Sequence, residues 1–147
     1  MTNKTQQISV DSKKSRSIFL GVMGAPFQSE LCSSVLRMAE EALKQDHTVT
    51  VWTCGYATAM TQSSLERDQD IFTYGGCEPQ MHPSHPVSSV VAGLLKRYPN
   101  RLCWYVCDYC MRERGTTQQM DGVEIKIPYT FNLYLNDADV SLVLGVK

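Results

Sequence analysis

The stretch that decides the fold is SIFLGVMGAPFQSELCSSVLRMAEEALKQDHTVTVWTC, residues Ser17 to Cys54. Its opening segment, Ser17 to Met23, is a nearly continuous apolar run closed by Gly24, Ala25 and Pro26. That is the pattern of a strand buried on both faces of a parallel sheet. From Gln28 to Gln45 the apolar period changes to that of a helix, with Leu31, Val35, Met38 and Ala42 on one stripe and Cys32, Leu36, Ala39 and Leu43 beside it. Ser29 and Glu30 suit its N-terminus, and Glu40 with Lys44 forms an i, i+4 pair on the outer face. Asp46 and His47 then lead into Thr48 to Cys54, β-branched and aromatic, a second strand. Strand, helix and strand with short joints make a βαβ unit, whose crossover is right-handed.

Working outward, the polar segment Met1 to Arg16 is expected to be a flexible tail, leaving residues 17–147 as one α/β domain. Val87 to Leu95 has the spacing of a helix ended near Tyr98 and Pro99, and Arg101 to Cys107 (RLCWYVC) reads as a third strand. Asp108 to Arg114 forms a short helix stopped by Gly115, Val123 to Ile127 alternates as a strand, Pro128 opens a helix through Asn136, and Val140 to Val146 is the last strand. The expected architecture is a mostly parallel sheet of about five strands flanked by helices. Between the two halves lies a long interruption, residues 55–86, in which Ala57 to Arg67 is the best helical candidate. Loops longer than about 12 to 15 residues are usually functional or disordered, so this one is the expected lid or partner surface.

Composition narrows the function classes. Fourteen Lys and Arg against fifteen Asp and Glu give the 147-residue chain a formal net charge of -1, so no global field draws it to nucleic acid. No apolar run approaches the roughly 20 residues that cross a bilayer. Soluble, cytoplasmic and without a membrane partner is the expectation. Paired carboxylates at acid/base spacing, a Gly-x-Ser-x-Gly elbow and a three-glycine dinucleotide fingerprint are all missing from the sequence, and no cofactor is expected. Six cysteines are many for such a chain, yet its size lets it fold without disulfides. Cys32, Cys54 and Cys103 lie in apolar segments, where a free cysteine usually behaves as a small buried hydrophobe. Cys77, Cys107 and Cys110 are left to explain.

Cys107 ends the third strand and Cys110 falls in the first turn of the next helix. In open parallel sheets, ligands sit outside the carboxyl ends of the strands. Unpaired backbone N–H groups and the positive end of the helix dipole favour a thiolate there, so a lowered thiol pKa is expected. Arg112 and Arg114 add to this if they turn toward the site, whereas Asp108 opposes it.

The residues Val106-Cys107-Asp108-Tyr109-Cys110-Met111-Arg112-Glu113-Arg114-Gly115, with the first strand leading to Gly24-Ala25-Pro26-Phe27 and the turn QDHTVTVW, resemble the DsrE/DsrF family of small sulfur-relay proteins, which includes the TusB, TusC and TusD group. The resemblance runs from Ser17 to the C-terminus. It implies a persulfide carried on Cys107, with Cys110 as an assisting thiol, in a homo- or hetero-oligomer that passes sulfur from donor to acceptor proteins. Whether the chain is an enzyme, a sulfurtransferase, or only a carrier is left open by the residues. Two other readings stand beside it: a C-x-x-C dithiol redox protein, and a non-catalytic structural or zinc-binding subunit of a hetero-oligomer. Cys77, His82 and His85 share one loop, but their spacing is no standard zinc pattern and no metal ligands are assigned. They are read, with Arg112 and Arg114, as gating the partner's access to Cys107, through a cap formed by Asp68 to Pro86 with Gly75 and Gly76 as hinges.

Overall fold

A computed structural model of the chain describes residues 14–64 and 87–145. The deciding stretch forms β1 (Ser17–Met23), α1 (Leu31–Lys44) and β2 (Thr48–Thr53), with one 3-10 turn at Pro26–Gln28 before α1. There follow α2 (Val87–Arg97), β3 (Leu102–Cys107), α3 (Asp108–Glu113), β4 (Glu124–Lys126), α4 (Phe131–Asp137) and β5 (Val140–Gly145). The last helix is preceded by a 3-10 turn at Pro128–Thr130, because proline at a helix start lacks the N–H that would have no partner there.

Among the described residues the strands form a sheet in the order β4-β3-β2-β1-β5, every neighbouring pair parallel. From β1 to β4 the chain steps across the sheet in one direction, so right-handed crossovers bring α1 and α2 to the same face. Between β4 and β5 it returns past β1, and the same rule places α4 on the opposite face. The burial follows. Alternate strand residues Leu20, Val22, Val49, Val51, Leu102, Trp104 and Val106 pack with Val35, Leu43, Val91 and Leu94 of α1 and α2. The other alternation sends Phe19, Trp52, Tyr105 and Cys107 to the α4 face, against Phe131, Tyr134 and Leu135. Gly21 makes that contact possible: a Cβ there would stand 3.4 Å from the Phe131 ring and 3.3 Å from Phe19.

Two expectations change. Beyond β2, Gly55–Thr61 is a 3-10 helix and not the start of an α-helix reaching Arg67. Its Ala57, Thr58, Met60 and Thr61 are buried, and Gln62 makes an antiparallel bridge to Gln119, so this part of the interruption belongs to the packed domain. The physical reason is competition from tertiary bonds: Thr58 Oγ1 and Thr116 Oγ1 lie 2.7 Å apart, and Gln119 Nε2 donates to the carbonyls of Thr58 and Thr116. Cys103 is also not buried. It faces outward on the α4 side of β3, beyond the reach of that short helix. Of the expected tail, Met1 to Arg16, residues 1–13 lie outside the described residues, as does the segment 65–86; Ser15 Oγ donates to the Asp46 carbonyl and the Arg16 N–H to His47 Nδ1.

Candidate functional site

Parallel pairing of β2 with β3 matches Val49 to Leu102 and Thr53 to Val106. One step further along each strand are Cys54 and Cys107, so two neighbouring strands end in cysteine at the same level. The chain then diverges. After Cys54, Gly55 turns with φ 60°, a left-handed conformation that glycine tolerates best, and a Cβ on it would stand 3.4 Å from the Gly24 backbone nitrogen. After Cys107, α3 begins at once and carries Cys110 back over the strand ends.

The three sulfur atoms of Cys54, Cys107 and Cys110 all lie within 4.8 Å of one another. Cys54 Sγ and Cys110 Sγ are 3.0 Å apart. Cys107 is buried, while Cys54 and Cys110 are partly exposed, so the cluster opens to solvent through the latter two. Around it stands an aromatic wall. Trp52 meets Tyr105 and Phe131 edge-on at 6.4 and 5.6 Å, and Tyr105 and Tyr134 lie 4.7 Å apart. Lys126, paired in register with Cys107, places its ammonium 4.8 Å over the Tyr105 ring and 2.7 Å from Glu124 Oε2.

The electrostatics reverse the expectation of a lowered thiol pKa. Burial pushes Cys54 up to about 12, helped by its hydrogen bond to Cys110 and by the charges of neighbouring thiolates. Burial also raises Cys107, against the opposing effect of the Cys110 backbone N–H, which favours its thiolate. The short α3 supplies one such N–H, and that does not offset the loss of water around the sulfur. Resting Cys54 and Cys107 are therefore neutral thiols near pH 7.

Arg112 and Arg114 have other engagements. Arg112 Nε donates to Asp108 Oδ1 at 2.8 Å on the outer side of α3, where the arginine is largely exposed. Arg114 pairs with Glu113 at 2.9 Å and lies 4.8 Å over the Tyr56 ring, bracing α3 against the turn that follows Cys54. Cys77, His82 and His85 lie outside the described residues. Cys107 and Cys110 are thus brought together with a third cysteine that the sequence reading classed as inert. The signal for Cys54 was present: the two apolar runs TVTVWTC and RLCWYVC end alike, and adjacent parallel strands in matching register bring such ends side by side.

No model of a known protein family matches the sequence, and no curated protein does. Among solved structures, the crystal structure of the ychN protein from E. coli superposes with a TM-score of 0.66 over 88% of this chain and 99% of that one, at 20% sequence identity. The two chains share their fold: one α/β domain of the DsrE-like form, an all-parallel sheet of five strands flanked by helices.

Proposed function

We propose that this chain is a sulfur-relay protein that carries sulfane sulfur as a persulfide on Cys107, with Cys110 assisting, between a donor and an acceptor protein. The observation that carries the reading is the gathering of three thiols within 4.8 Å at the carboxyl ends of β2 and β3. The DsrE-like fold supports it, although fold alone does not assign chemistry. A persulfide suits this environment. It is a stronger acid than its parent thiol, so loading turns a buried neutral group into an anion one bond further out, beside the thiols of Cys54 and Cys110. Cys107 is buried beside the aromatic wall, and Cys54 and Cys110 are the partly exposed members of the cluster.

Sulfur loading tests this directly. The protein is incubated with thiosulfate, or with a cysteine desulfurase and cysteine, and examined by intact and peptide mass spectrometry. A gain of about 32 Da, one sulfur atom, on the Cys107 peptide is expected, and its absence from Cys107→Ser. Equal loading of Cys107→Ser rejects the assignment.

The same donor set favours one second reading, a structural subunit holding a soft metal ion on the three thiolates. Zinc–sulfur bonds of about 2.3 Å at tetrahedral angles set sulfur atoms about 3.8 Å apart, so the Cys54–Cys110 pair would have to open. Metal analysis of protein purified without chelator separates the two: one tightly held zinc with thiols that resist alkylation supports the subunit.

A further inference from the structure

The sequence offers Cys107 and Cys110 as a C-x-x-C pair, yet the sulfur that stands 3.0 Å from Cys110 belongs to Cys54, on another strand. We infer that Cys54, and not Cys107, is the disulfide partner of Cys110, and that closing the Cys54–Cys110 bond discharges the sulfane sulfur from the site as hydrosulfide. The discharge rests on the proposed persulfide at Cys107; the pairing rests on geometry alone.

The cluster permits the step atom by atom. A persulfide lengthens the Cys107 side chain by one S–S bond of about 2.05 Å, which places its outer sulfur inside the space shared by the three cysteines. The Cys110 thiol passes its proton to the persulfide anion and, as a thiolate, attacks that outer sulfur; the Cys107–sulfur bond breaks, and Cys107 leaves as a thiolate. Cys107 then takes the proton from the neighbouring Cys54 thiol. The Cys54 thiolate attacks Cys110 Sγ, forms the disulfide and expels the outer sulfur as HS⁻. Two thiols lose one electron each and the sulfane sulfur gains two. A Cys107 persulfide anion, a Cys110 thiol and a Cys54 thiol thus become a Cys107 thiol, a Cys54–Cys110 disulfide and one hydrosulfide, with charge and protons conserved. Another round needs an external thiol to reduce the disulfide.

Three features of the site fit these roles. Cys107 is the most buried of the three and is shielded from direct disulfide exchange, as a carrier position requires. Cys54 stands within 4.8 Å of Cys107, so the thiolate that leaves Cys107 has a proton donor beside it. Cys110 alone sits on a helix, at the open side of the cluster, where it can meet either partner.

The test has two arms. In the first, the unloaded full chain is oxidised with diamide, its remaining thiols are alkylated, and disulfides are mapped by peptide mass spectrometry. A Cys54–Cys110 link with Cys107 alkylated is expected; a Cys107–Cys110 link overturns the pairing. In the second, sulfur-loaded protein is freed of donor, and released sulfide is measured with monobromobimane. The parent should release sulfide with loss of the persulfide and appearance of the same link. Cys54→Ser should keep its persulfide and release sulfide about tenfold more slowly. Release at the parent's rate from Cys54→Ser overturns the discharge role. Cys54→Ala, checked by circular dichroism, serves if the serine variant does not fold. The two levels fail differently. A persulfide on Cys107 resolved through a Cys107–Cys110 link rejects the pairing and leaves the relay; a Cys54–Cys110 link in a chain that never loads rejects the relay and, with it, the discharge.

Discussion

The two faces of the sheet are built on different plans. On one, α1 and α2 cover rows from β1, β2 and β3 that are aliphatic but for Trp104, and side chains such as Leu20, Val35, Leu43 and Val51 are almost wholly out of contact with water. On the other, the short α4 covers only the middle, through a few aromatic contacts, and leaves Cys103, Leu133 and Val143 exposed. The first face holds the domain together by removing apolar area from water, at about 25 cal/mol per Å². The second buries fewer but large aromatic side chains and also positions chemistry: its aromatic row, Trp52 and Tyr105, leads along the strands to Cys54 and Cys107. The larger apolar core lies on the α1 and α2 side of the layer, and the thinly covered side carries the thiol cluster.

The contrast is open to direct attack. The largest expected effect is Leu20→Ala, which empties a site that is 1% exposed; it should cost about 2–5 kcal/mol in urea unfolding. Leu133→Ala on α4, 67% exposed, should stay within about 0.5 kcal/mol. Similar losses for the two would break the division between faces.

Phe131→Leu sharpens it on the aromatic side. The ring makes edge-on contacts with Phe19 and Trp52 at 5.4 and 5.6 Å, and removing both should cost about 1–3 kcal/mol. Cys54 and Cys110 should at the same time alkylate faster with iodoacetamide, because α4 then holds the wall less firmly. A stability loss with unchanged alkylation would show that the wall does not govern access to the thiols.

Alkaline pH probes the cluster itself. Folding raises Cys54 from 9.0 to about 12, so the folded state holds its proton where the unfolded chain releases it. The resulting stabilisation is complete below the unfolded value and is lost as pH rises through the folded one. Comparing urea midpoints at about pH 8 and about pH 11, the parent should lose more stability than Cys54→Ala. An equal loss would mean that burial does not hold this thiol neutral. The smallest effect is expected of Arg112→Gln, whose exposed pair with Asp108 should contribute no more than about 0.5 kcal/mol and leave thiol alkylation unchanged. A change in alkylation would return Arg112 to the site.

Much of this was legible in the sequence. Among the described residues, the strands and α-helices stand where apolar runs, periodicity and turn residues placed them, because period two and period 3.6 are imposed by local backbone geometry and show wherever one side of an element is buried. The short joints and parallel connections then constrained the sheet through the handedness of crossovers. Cys107 and Cys110 were legible as neighbours for the same reason: three residues across a strand-to-helix junction remain close in any fold that keeps the junction.

What was not legible depends on partners distant in sequence. Cys54 looked inert because an apolar run describes the burial of a strand and not what lies at its end. Its place beside Cys110 follows from the register of β2 against β3, a pairing of residues 53 positions apart at its matched steps, Val49 with Leu102 among them. The thiol pKa was misjudged because a helix start is a local feature, whereas desolvation is set by every element that closes over the sulfur. Cys103 was expected inside because nothing in its own segment reveals that α4 is too short to cover it. The sequence by itself determined the elements, their order and the junction that carries a thiol pair. Only the tertiary structure decided which thiols meet and how far from water they lie, since both depend on strand register and coverage, which join residues that periodicity treats as independent.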